Sequence, residues 1–256
     1  MGRLPKTTRK SKRIAGVILG LIVAGFLTYI LFFSNIFSIS DVVISNETLE
    51  NKAFAQEIEK TISSAIGKNI LLVDTKELSS KVIKKFPELK TVEVSKSYPD
   101  ILKIKFEPYA LVANIINESK TLKKSYIINA IGQVIKEDYE NKDLPYIRVK
   151  SDEPINTKEI VIDEKTLTLL LETKTYFEDK FGMKIKEILY KPIAREIHLL
   201  TEKGFYIWLD MQKPIDQQLQ KLKKTLVKLD IYKENLDYID LRISGTNGEK
   251  IIYKRK

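Results

Sequence analysis

The chain has 256 residues, no cysteine, one histidine and a formal net charge of +10, with 43% hydrophobic and 30% charged residues. Without cysteine it has no disulfide and no thiolate metal site; a Ser-His-Asp or Cys-His arrangement would have to use His198 or do without. Six of the ten excess positive charges lie in residues 1–13, and no aromatic residue interleaves with them, so topology and anionic lipid explain the basic balance better than nucleic acid does.

Ile14 to Phe33 is twenty residues without a charge, with Thr28 and Tyr29 as its only polar side chains. As a helix it spans about 30 Å, the thickness of a bilayer's hydrocarbon core. Arg3, Lys6, Arg9, Lys10, Lys12 and Arg13 precede it, and the first acid in the chain is Asp41. Basic flanks stay on the cytoplasmic side, so the reading is a cytoplasmic tail (1–13), a transmembrane helix (14–33) and everything after it outside the cytoplasm. A cleaved signal peptide is the competing reading. Such a core runs about 7–15 residues and ends at small residues, whereas this one ends in Ile30-Leu31-Phe32-Phe33 and is followed by Ser34-Asn35-Ile36-Phe37-Ser38. An uncleaved anchor fits better. Gly16 and Gly20 have the spacing that lets membrane helices approach closely, a spacing that also arises by chance in apolar stretches.

Phe37, Ile39, Val42 and Ile44 begin a strand pattern that ends near Asn46. Phe54, Ile58, Ile62, Ala65 and Ile66 fall at helical spacing, with Gly67 as a stop. Asp74 or Thr75 caps a second helix carrying Leu78, Val82, Ile83 and Phe86, ended by Pro87. Thr91–Lys96 and Leu102–Glu107 alternate apolar and polar, joined through Tyr98-Pro99-Asp100 as a hairpin. The order β-α-α-β-β gives a small two-layer domain over residues 35–107, with the seam near Glu107–Ala110.

Residues 108–256 read as a mainly antiparallel β domain with flanking helices, so the fold class is α+β. Leu111–Ile116, Ser125–Asn129, Gly132–Lys136 and Tyr146–Val149 are strand-sized, and Asn129–Gly132 is a tight connection. Lys150–Asn156 is a polar loop. Leu167, Leu170, Leu171, Phe177 and Phe181 mark a helix closed by Gly182. Ile185–Tyr190, Glu196–Leu200 and Phe205–Leu209 are strands. Ile215, Leu219, Leu222, Leu226 and Leu229 form a leucine-rich helix; two heptads are short for a zipper, and packing on the chain's own sheet is the simpler reading. Tyr238–Ile243 is a strand, Gly245–Gly248 a turn, and Ile251–Tyr253 a last strand before Lys254-Arg255-Lys256.

Catalytic signals are weak. His198 falls on a strand, where a structural or surface role is the simple reading. Asp152-Glu153 and Glu178-Asp179 are sequence neighbours rather than carboxylates converging from separate elements. No Gly-rich phosphate loop occurs, and nothing calls for a metal, a cofactor or a small-molecule substrate. If Ile251–Tyr253 lies at a sheet edge, its unpaired backbone groups can accept an added strand; alternatively, the three terminal basic residues blunt that edge.

The whole chain resembles the FtsQ/DivIB family of bacterial division proteins. The resemblance rests on Gly67–Asp74 between the two helices, on Phe86–Val94 with Tyr98–Ile104 in the hairpin, and on Gly204–Leu209, the leucine helix and Tyr238–Arg242 near the end. It departs where the family often has Glu-Arg-x-Pro-x-Ala and this chain has Glu107-Pro108-Tyr109-Ala110, and in the loop 245–250. The resemblance implies a polypeptide-transport-associated (POTRA) domain at 35–107. It implies a non-catalytic, single-pass scaffold of the divisome, acting in septum formation by holding partners of the FtsB, DivIC and FtsL type. It also implies partner binding at the C-terminal end, through Tyr238, Asp240 and Arg242 and through Ile251, Ile252, Tyr253 and Lys254. The arginine matching Arg242 is linked in the family to an acidic partner residue, and Arg242 is expected on a strand with its guanidinium reaching over the final edge. The rival readings are a membrane-anchored cell-wall enzyme and a POTRA module in protein export or outer-membrane assembly.

Overall fold

The computed structural model describes residues 9–46, 52–118, 123–150, 154–243 and 251–256. The chain divides into two compact units, Met1–Pro108 and Tyr109–Lys256. The turn expected at Gly245–Gly248 and the loop 245–250 lie outside the described residues, as does part of the loop at 150–156.

In the first unit, helix α1 (Arg9–Phe33) contains an apolar span, Gly16–Phe33, with none of it buried. Its surface of Val, Ile, Leu and Phe has no protein to cover it, which is what a helix facing lipid requires. Strand β1 (Asp41–Ile44), helix α2 (Lys52–Ile62), helix α3 (Thr75–Lys85) and strands β2 (Leu89–Ser97) and β3 (Ile101–Pro108) follow in the expected β-α-α-β-β order. The sheet order is β1-β3-β2, with β1 parallel and β2 antiparallel to β3. Leu102, Ile104 and Phe106 alternate into the core with Lys103, Lys105 and Glu107 facing out. Ala55, Ile58 and Ile62 of α2 and Val82 of α3 cover the buried face. Phe54 packs edge-on against both Phe86 and Phe106, at 5.2 and 5.5 Å. Asp74 caps α3 by accepting from the Lys76 and Glu77 N–H groups.

Among the described residues the second unit is one nine-stranded sheet with two helices. Its strands are β4 (Leu111–Glu118), β5 (Lys123–Asn129), β6 (Val134–Glu137), β7 (Tyr146–Val149), β8 (Ile185–Lys191), β9 (Glu196–Thr201), β10 (Tyr206–Asp210), β11 (Leu236–Asp240) and β12 (Ile252–Arg255). Their order is β12-β11-β10-β9-β8-β7-β4-β5-β6. Most pairs are antiparallel; β4–β7, β7–β8 and β10–β11 are parallel. Each of these parallel neighbours is joined by a long connection, and helices α4 (Glu164–Phe181) and α5 (Ile215–Thr225) lie within two of them. Both helices share a single core with the sheet, so they cover one face. Among the described residues no helix covers the other.

Local chemistry fixes these elements. Asp163 caps α4, and Gly182 ends it in the left-handed region at φ 61°. In the β5–β6 turn Gly132 has φ 77°, and a Cβ there would lie 1.7 Å from the Ile162 carbonyl oxygen. Leu219 and Leu222 of α5 are fully buried in the core, so the leucine helix packs on its own sheet. The helix stops at Thr225, and Leu229 is buried from the following turn. The buried Gln218 clamps the start of α5 to the end of β10, accepting from the Asp210 N–H at 2.9 Å and donating to its carbonyl at 2.8 Å.

Candidate partner-binding edge

Strand β12 closes one end of the large sheet and pairs only with β11 among the described residues. The register sets Asp240 opposite Ile252, Ile239 opposite Tyr253 and Tyr238 opposite Lys254, with a bulge between Leu236 and Tyr238. The Lys256 N–H donates to the Asn235 carbonyl at 2.9 Å. Because backbone groups alternate sides along a strand, Ile252 and Lys254 also turn their N–H and C=O toward β11. Tyr253 and Arg255 turn theirs to the open side.

The two faces of this edge differ. Ile252 and Lys254 share the uncovered face with Tyr238 and Asp240, while Tyr253 shares the helix-covered side with Ile239. Ile251 packs against the core. The three terminal basic residues are tied to their own domain. Lys254 pairs with Asp237 at 2.9 Å, Arg255 with Glu234 at 2.6 Å, and Lys256 donates to the Gly204 carbonyl at 3.1 Å. The Arg255 guanidinium also lies over the Tyr253 ring, 5.2 Å from its centroid.

Arg242 departs from expectation. Strand β11 ends at Asp240, so Arg242 lies beyond the strand. Its guanidinium does not reach over the β12 edge. It grips Asp240 through Nε at 2.9 Å and Nη2 at 2.7 Å, and its Nη1 donates to Glu196 on β9. Glu196 lies on the side of β10 away from β12. The physical reason is competition: two carboxylates on the same face offer a planar fork a closer fit than solvent at the edge does.

Around this clip runs a stack of rings. His198 lies 4.9 Å from Trp208, Trp208 4.1 Å from Tyr238 at an interplanar angle of 5°, and the Arg242 guanidinium 4.8 Å above Trp208. These rings come from β9, β10 and β11, at alternate positions that face away from the core. His198 Nε2 meets the second Glu196 carboxylate oxygen at 2.8 Å. Burial pushes the His198 imidazole down to about 4, against a smaller opposing pull from Glu196. Burial alone would raise Glu196 and Asp240. Hydrogen bonds from His198 and Arg242 for Glu196, and from Arg242 for Asp240, outweigh burial and leave both lowered. Arg242 is raised, first by its bond to Asp240. The cluster is therefore a charged clip with neutral histidine beneath it.

The segment after β11 is held from its other side as well. Lys221 donates to the carbonyls of Leu241 at 2.9 Å and Ile243 at 3.0 Å, and Lys213 donates to that of Arg242. The strand that receives β12 is thus fixed by its neighbours on both sides. The structure brings Tyr238, Asp240, Ile252 and Lys254 together on one face, puts Ile251 and Tyr253 on the other, and turns Arg242 inward. Glu196, His198 and Trp208 were missed as members of the site. The available signal was the placement of a histidine and a tryptophan at the outward positions of two alternating strands.

Among the described residues no group of three or more histidine, cysteine, aspartate or glutamate side chains is arranged to hold a metal ion. Arg242 bridges the carboxylates of Asp240 and Glu196. Residues 37–107 match the POTRA domain of FtsQ type, and residues 119–242 match the C-terminal domain of the cell division protein FtsQ/DivIB. The second match ends just before the segment that leads into β12. No curated protein matches the chain.

Proposed function

The chain belongs to the FtsQ/DivIB family of cell division proteins, and from that premise we propose that it is a single-pass membrane scaffold of the divisome that takes up a partner strand along β12. That family is non-enzymatic, and its members act in cell division. The N-terminal apolar helix fits a membrane anchor. The basic residues before it favour a cytoplasmic N-terminus, with both folded units outside the cytoplasm; the family's part in cell division favours a place at the septum.

One observation carries the partner reading: β12 is an edge strand whose outward N–H groups, at Tyr253 and Arg255, have no neighbouring strand among the described residues. Exposed edges of this kind attract added strands, and backbone pairing then supplies affinity while side chains on alternate positions supply selectivity. The partners fitting this reading are the extracytoplasmic segments of FtsB-, DivIC- and FtsL-type proteins. Tyr238, Ile252 and Lys254 supply side-chain contacts on the open face. Asp240 and Arg242 act by holding β11 in place, since each is engaged with the other.

Tyr253→Pro tests this. Proline removes an outward donor but leaves the β11 ladder intact. The expected result is a folded ectodomain that no longer binds the partner segment, while Ile193→Ala, at a fully exposed position elsewhere in the second unit, binds normally. Unchanged affinity of the Tyr253→Pro protein contradicts strand addition at this edge.

A further inference from the structure

The first unit carries an apolar rim at the end nearest the anchor. The Asn69 side chain donates to the Leu31 carbonyl, in the last turn of α1, at 2.7 Å. That carbonyl has no partner within its own helix, so the folded domain itself caps the anchor. Ser38 and Asn69 form a β-bridge. Around it the N–H groups of Ile39, Gly67 and Ile70 donate to the carbonyls of Lys68, Ile39 and Phe37 at 2.9, 2.9 and 2.7 Å. The α2–α3 loop is thereby held at the level where the helix ends.

The β2–β3 turn lies at the same end. Strand β1 starts at Asp41 opposite Ile101, and the Ser40 N–H donates to the Asp100 carbonyl at 2.9 Å. Three segments therefore meet near the exit of the anchor: 34–40, 66–72 and 98–100. Each exposes a large apolar or aromatic side chain. Ile36 is 55% exposed, Ile66 48%, Leu72 69% and Tyr98 61%. None of them belongs to the domain's core. Lys68 stands among them; of the acids at this end, Asp41 accepts from the Val42 N–H, Asp100 from the Ser40 hydroxyl and Asp74 from the first turn of α3, while Glu77 lines the hollow beside Lys68 and Leu72. On the anchor, Tyr29 and Phe33 stack at 6.2 Å, the kind of aromatic pair that marks a headgroup level.

We propose that this rim is an interfacial membrane contact: Ile36, Ile66, Leu72 and Tyr98 dip into the headgroup region of the leaflet that α1 leaves, with Lys68 beside the lipid phosphates. The occupant is lipid because the rim is continuous with the lipid-facing helix and hydrogen-bonded to its last turn. Apolar side chains in such a contact sit about 5–10 Å into the headgroup and acyl boundary. The consequence is a first domain held against the membrane surface rather than swinging on a tether. The inference rests on α1 crossing the membrane.

The chain has no cysteine, so single labels can be placed without background. The full chain is reconstituted into phospholipid vesicles with an environment-sensitive fluorophore at Leu72→Cys, Ile66→Cys, Ala24→Cys or Ile193→Cys. Quenching is measured with lipids carrying a nitroxide either near the headgroup or at mid-chain. The proposal expects Leu72 and Ile66 labels to emit at shorter wavelength than Ile193 and to lose most emission to the shallow nitroxide. Ala24 should lose most to the deep one, and Ile193 should respond to neither. If Ala24 is quenched while Leu72 or Ile66 behaves like Ile193, the rim does not touch lipid and only the anchor stands. If Ala24 is not quenched, the anchor and the rim contact both fall.

Discussion

Lowering the pH from 7.5 to 5 should destabilise the second unit through its single histidine. His198 is 3% exposed on β9, stacked on Trp208, and pushed from an ordinary 6.5 down to about 4 by burial. In the folded state it stays neutral until the pH approaches 4; in the unfolded chain it takes a proton near 6.5. The unfolded state therefore binds more protons throughout that window, and stability present above about pH 6.5 is lost as the pH falls toward 4. A shift of that size corresponds to about 2 kcal/mol lost at pH 5 and about 3 kcal/mol at pH 4. The lowered carboxylates Glu196 and Asp240 add a loss of the same sign only at lower pH, as they protonate. Urea unfolding of residues 34–256 at the two pH values, followed by fluorescence of the one tryptophan, reads the effect directly because Trp208 lies against the histidine. His198→Phe keeps a ring on Trp208 and should flatten the slope between pH 7.5 and 5. An equal slope in wild type and variant would refute the assignment, as would a wild type whose stability does not change over that range.

Other perturbations separate the remaining parts of the account. Leu222→Ala empties a fully buried site under the sheet and should cost about 2–5 kcal/mol, with a melting midpoint independent of protein concentration; a concentration-dependent midpoint would restore a zipper. Arg242→Ala leaves the 4%-exposed Asp240 without its bidentate partner and should cost about 2 kcal/mol, between exposed and buried ion-pair values. A double-mutant cycle with Glu196→Gln should show coupling well above the additive error of about 0.5 kcal/mol, and additivity would mean that the Arg242–Glu196 arm of the clip contributes nothing. In spheroplasts, external protease should remove both folded units and spare residues 1–13, whereas protection of the second unit would reverse the proposed orientation.

The first domain was legible because each of its signals is local. Alternation in Leu102–Glu107, the cap at Asp74 and the spacing of Ile58 and Ile62 each lie within one element. The order of nine strands was not legible, since the parallel pairings of β4 with β7 and β10 with β11 join segments far apart in the chain. The leucine period overran its helix: Leu229 keeps the spacing but is buried from a turn, because burial rather than helicity fixes its place. Arg242 misled for a related reason. Its neighbours in sequence suggest a strand residue at an open edge, but Asp240, two residues away, grips it beyond the strand's end, and the second carboxylate, Glu196, is 46 residues away and can be seen only once β9 and β11 lie in one sheet. A charge that looks available for a partner was already taken inside the fold.

Amide hydrogen exchange on the ectodomain with and without the partner segment tests most directly the proposal that a partner pairs with β12 through its backbone. Ile252 and Lys254 face β11, while Tyr253 and Arg255 face outward. Partner binding should slow exchange strongly at Tyr253 and Arg255, with little change at Ile252 and Lys254, whose N–H groups are already paired. Protection confined to other strands, with Tyr253 and Arg255 still exchanging freely in the saturated complex, would contradict the account.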